Sequence, residues 1–80
     1  MTEQKLMQYV VAVLETVLET GYAPESTVYL ALGMDMRAYE MVRQIMSQSG
    51  MITVSGNAIY LTEKGTEMAE KIQNVTKQHA

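Results

Sequence analysis

Cysteine, tryptophan and phenylalanine are absent from this 80-residue chain, and proline and histidine occur once each. Without cysteine there are no disulfides and no thiolate ligands. The single histidine, His79, stands one residue from the end, and metal sites need several converging ligands, so no metal is expected. No apolar run approaches the ~20 residues that cross a bilayer, and no basic leader followed by a cleavage site is visible. The expectation is a soluble, cytoplasmic protein with no membrane partner. Catalytic sets are missing as well. There is no glycine-rich phosphate loop and no Ser/His/Asp set. Glu15 and Glu19 stand one helical turn apart with no acid or ligand to work with, which reads as a solvated edge. Neither enzymatic activity nor a cofactor is expected.

What is present is ordinary globular material. Apolar residues make up 48% of the chain, enough for one domain spanning 1–80, near the size at which a single core suffices. Eight methionines stand out in a chain so poor in large aromatics. Methionine fills irregular gaps and also suits adaptable binding surfaces; core filling is the commoner use and is expected here. Six Lys and Arg against nine Asp and Glu leave a net charge of −3. That balance disfavours nucleic acid, whose affinity comes largely from phosphate neutralisation, although the placement of the charges matters more than their sum.

Residues 3–20, EQKLMQYVVAVLETVLET, repeat Leu6, Tyr9, Val10, Val13, Leu14, Val17 and Leu18 at helical spacing. Thr2 is placed to cap this helix and Gly21 to stop it. Met7 and Val11 widen the apolar face beyond the stripe that one core needs. Such a face suits either a helix sandwiched on two sides within its own chain or one that pairs with a second copy. In the second case Met7, Val11, Leu14 and Leu18 form the interface of a homodimer. Pro24 suits the first position of a second helix, PESTVYLAL, ended by Gly33. Asp35 caps a third, residues 36–49, ended by Gly50, and Met34 is placed to staple onto Tyr39. The period then changes to two. MITV and AIYL, separated by the turn formers Ser55, Gly56 and Asn57, read as a hairpin. Thr62 caps a last helix with Met68, Ala69, Ile72 and Val75 on one face, and the polar tail is expected to fray from about 74. Gly65 in its first turn costs helix propensity and points to a close approach.

The order is helix, helix, helix, strand, strand, helix: a mostly helical α+β fold. Where the third helix runs through Gly50 into MITVSGNAIYLTEKG, the chain resembles winged-helix (winged helix-turn-helix) domains of small bacterial and archaeal transcriptional regulators. YLTEKG resembles the end of the wing in those families, and the resemblance covers Leu6 to Ile72. It implies a short two-stranded wing, transcription regulation, and double-stranded DNA as partner, with the third helix in the major groove.

On a helical wheel of residues 36–49, Ala38, Met41, Val42, Ile45 and Met46 turn inward. Met36, Glu40, Arg43 and Ser47 turn outward, flanked by Arg37, Tyr39 and Gln44. In a DNA-binding reading the contacts are Arg37, Tyr39, Arg43, Gln44 and Ser47, with Asn57 at the wing. Glu40 sits between the arginines, where it can pair with both. Three readings of this face stay open: a DNA-reading surface, a solvated helix face, or a protein contact through Met36 and Tyr39, since interfaces favour Met, Tyr and Arg. The uncharged wing adds no counterion release.

Overall fold

The computed structural model describes residues 2–33 and 35–79, with side chains through residue 75. Met34 and the side chain of His79 lie outside the described residues, so the Met34–Tyr39 staple does too.

The first helix, α1, spans Glu3–Thr20, the range the periodicity predicts. The Thr2 hydroxyl accepts from the Lys5 N–H at 3.2 Å, and Gly21 turns out at φ 85°. The next segment departs from expectation. Tyr22–Pro24 form a short strand, β1, instead of a loop into a helix. Pro24 is its last residue and immediately precedes α2, Glu25–Ala31, rather than occupying a helical position. A proline at the end of an edge strand withholds no ladder bond, which is why it is tolerated there. Asp35 caps α3, Met36–Gln48, through a 2.7 Å bond from the Ala38 N–H to Oδ1.

The hairpin forms where predicted, as β2 Ile52–Ser55 and β3 Ala58–Leu61. Ser55 pairs with Ala58, so the turn is the two residues Gly56 and Asn57. Their φ values, 55° and 66°, are the positive pair that a tight hairpin turn requires. β3 also pairs with β1, giving a three-stranded antiparallel sheet of order β1-β3-β2. Opposite residues share a face. Ile52, Leu61, Val54, Ile59 and Ala23 form one side, and Thr53, Tyr60 and Tyr22 the other, where the two tyrosine rings stack at 5.6 Å.

The last helix, α4, spans Glu63–His79. The described core takes residues from every element: Val10, Val13, Leu14 and Val17 from α1, then Ala23, Val28, Tyr39, Val42, Met46, Ile52, Ile59 and Ala69. The result is a mostly helical α+β fold of four helices and one small sheet. Among the described residues no helix is long and apolar enough to cross a membrane.

Candidate nucleic-acid interface

The third helix is turned about its axis relative to the wheel reading. Tyr39, Val42 and Met46 face the core, Ala38 and Ile45 are half-buried, and Met41 faces out at 45% exposure. Tyr39 is therefore a correction. At 2% exposure it offers no ring edge to DNA or to a protein partner. Its ring sits 5.4 Å from Tyr29 of α2, and its hydroxyl donates to Glu25 Oε1 at 2.8 Å. Tyr39, Val42 and Met46 stand at i, i+3 and i+7, a spacing that by itself fits one buried stripe. The partners on α2 then hold the ring and its hydroxyl.

Arg43 belongs to the same cluster. Its Nη1 donates to Glu25 Oε1 at 3.0 Å, and its guanidinium lies 5.9 Å from the Tyr39 ring centroid. Glu25, not Glu40, is the carboxylate that holds this arginine. Burial, and then the hydrogen bond to the Glu25 carboxylate, raise the Tyr39 phenol pKa well above its ordinary value. The bond to Glu25 likewise raises Arg43. One carboxylate oxygen thus ties α2 to α3 through two donors. Glu25 has no local signal in the sequence, since its partners stand 14 and 18 residues away.

Arg37, Glu40, Gln44 and Ser47 are exposed on α3, as expected, and Met36 stands out beside them at 51%. Asn57 is exposed at the hairpin tip, and its carbonyl accepts from the Glu25 N–H at 2.8 Å. That bond anchors the tip to the start of α2. Met36 and Asn57 line one concavity with Pro24, Glu25, Ser26 and Tyr29. The structure therefore brings together the start of α3 and the hairpin tip. Positive charge there is sparse. Arg43 is engaged by Glu25, and Lys64, the cation nearest the hairpin in sequence, donates to the Ser49 carbonyl at 2.9 Å.

The expected interface on α1 is divided. Leu14 is a second correction: it is wholly buried inside its own chain, because α1 packs against α3, α4 and the sheet. Leu18 is half-buried against that same core. Met7, 58% exposed, and half-buried Val11 do face outward, lining a shallow groove with Gln4, Gln8, Ala12 and Glu15. The methionines correct another expectation. Of those described, Met46 alone is fully buried and Met51 is half-buried, while Met7, Met36, Met41 and Met68 are exposed. Core filling is not their main use. No protein-family model matches the chain, and no curated protein matches it.

Proposed function

We propose that the protein is a small winged-helix transcriptional regulator that lays α3 in the major groove of duplex DNA, with β2–β3 as its wing. The observation that carries this reading is the exposed side of α3, where Arg37, Glu40, Gln44 and Ser47 stand clear of the core beside an anchored hairpin tip. Arg37 would take a phosphate, and Gln44 and Ser47 base edges or phosphates. Glu40 would accept from a cytosine amine. Arg43, held by Glu25, sets α3 against α2 rather than reading a base. With so few free cations one protomer binds weakly. A homodimer through Met7 and Val11 doubles the contacts.

The test is anisotropy of a labelled duplex titrated at several salt concentrations. Binding should weaken with a log–log slope of about −2 per protomer. Arg37→Ala should lower that slope by about 1 and weaken binding to all sequences alike. Absence of binding to any duplex at low salt and tens of micromolar protein sinks the reading. Sedimentation of wild type and Met7→Glu tests the dimer: the wild type should run at twice the protomer mass and the variant at one. A monomeric wild type removes it.

One observation favours a second reading, a winged-helix protein-interaction module that does not bind DNA. Met36 and Met41 are exposed on the same helix, and methionine suits surfaces that adapt to a protein partner. A duplex titration that shows nothing is the outcome this reading expects.

A further inference from the structure

We infer that the cleft between the amino-terminal halves of α1 and α3 is a binding site for a small organic carboxylate with an apolar body. The cleft has a volume of about 340 Å³ and is lined by Lys5 and Tyr9 of α1 and by Asp35, Arg37, Ala38 and Met41. That size lies at the lower end of pockets that take small ligands, which are mainly apolar with a few convergent polar groups. This cleft has that composition. The half-buried Tyr9 and Ala38, with Met41, supply the apolar wall, and Lys5 and Arg37 supply positive charge from two different helices.

The cations are available. Among the described residues Arg43 is held by Glu25 and Lys64 by the Ser49 carbonyl, whereas the Lys5 ammonium and the Arg37 guanidinium are in no ion pair or side-chain hydrogen bond. Lys5 and Arg37 line one concavity with a single carboxylate, Asp35, so a net positive charge is left there to attract an anion. Asp35 decides which anion. Its Oδ1 accepts from the Ala38 N–H at 2.7 Å as the α3 cap, which keeps a negative charge at the rim. Two positive charges against one negative favour a monoanion. A dianionic phosphate monoester would face the Asp35 carboxylate. The planar guanidinium suits a carboxylate head, leaving the rest of the ligand on Met41, Ala38 and the Tyr9 ring.

The carboxylate site shares Arg37 with the duplex reading but does not rest on it, and its test contains no DNA. Isotopically labelled protein is titrated with phenylacetate while amide shifts are followed, and with two controls that each carry half of the chemistry. Inorganic phosphate supplies charge without an apolar body, and 2-phenylethanol an apolar body without charge. Phenylacetate should give saturable shifts centred on Lys5, Tyr9, Arg37, Ala38 and Met41, and should bind more tightly than either control. Lys5→Gln and Arg37→Gln, both at exposed positions, should each weaken it by about three- to tenfold, the loss of one partly solvated charged contact. Lys71→Gln, the same charge change on α4, should leave it unchanged. Shifts scattered without saturation would overturn the assignment. So would a control that binds as tightly as phenylacetate, or a Lys71→Gln variant weakened as much as Arg37→Gln.

Discussion

Where α3 runs into β2 and β3 runs into α4, the chain is locked largely by main-chain groups, with one threonine hydroxyl between them; where α2 meets α3, it is locked by side chains. At the first corner the Met51 N–H donates to the Met46 carbonyl, and the Thr62 N–H donates to the Met51 carbonyl at 3.0 Å. The Thr62 hydroxyl donates to the Gly50 carbonyl and accepts from the Gly65 N–H, capping α4. At the second corner a single carboxylate oxygen of Glu25 receives both Tyr39 and Arg43. The first corner leaves no room for adjustment. The second can relax toward solvent, because the Arg43 side chain is 38% exposed.

Gly65→Ala breaks the comparison at its stiffer end and carries the largest expected effect. A Cβ built at Gly65 would overlap the Met51 carbonyl oxygen, a backbone atom that also serves Thr62. Alanine improves helix propensity by up to about 1 kcal/mol, which acts in the opposite direction. Forcing the sheet and α4 apart should outweigh it, for a net loss of about 3 kcal/mol in urea unfolding. An unchanged or raised midpoint would show that the corner yields, and that the main-chain lock is weaker than its geometry.

The two corners also differ in how far the sequence announces them. The first is legible: Gly50, the change to period two, the turn formers, Thr62 and Gly65 all lie within 16 consecutive residues. Local rules cover local corners, and the closeness that Gly65 implies is the approach of α4 to the Met51 carbonyl. The second is not. A wheel centred on Ala38 and Met41 leaves Tyr39 on the outer flank, although its spacing to Val42 and Met46 fits the core stripe. Local charge pairs the arginines with Glu40, their neighbour on the same helix. The choice of Glu25 depends on how α2 docks, which helical periodicity within α3 does not contain. The unexpected strand β1 has the same origin. Tyr22–Pro24 is too short to show alternation and exists because β3 pairs with it, 36 residues further on at Ala23↔Ile59. Leu14 does lie on the apolar side of α1, as its spacing predicts, yet it serves its own core and not a second chain. A stripe does not say whose core it enters. On α3, Arg37, Gln44 and Ser47 are legible as exposed because neither helical turn nor docking brings them inward.

Substitutions at the second corner sharpen the contrast, with smaller effects. Glu25→Ala should cost about 2 kcal/mol, most of it from stranding the buried Tyr39 hydroxyl, because the half-exposed ion pair with Arg43 contributes little. Tyr39→Phe should cost about 1 kcal/mol, and Glu25→Ala should cost less in that background, since the hydroxyl left unpaired is already gone. The pH dependence isolates the phenol. Its pKa is raised in the folded protein above the ordinary value near 10, so the folded state holds this proton more tightly than the unfolded chain does. The stabilisation is complete below pH 10 and is lost as pH rises beyond it, as the unfolded phenol ionises while the folded one does not. Other tyrosines and lysines titrate in the same range, so the informative quantity is the difference between wild type and Tyr39→Phe. Wild type should be the more stable below pH 10, and its advantage should shrink above that by up to about 1.4 kcal/mol per pH unit. A difference that stays flat from pH 8 to 11 would mean the phenol ionises as readily folded as unfolded. The side-chain lock between α2 and α3 would then be open in solution.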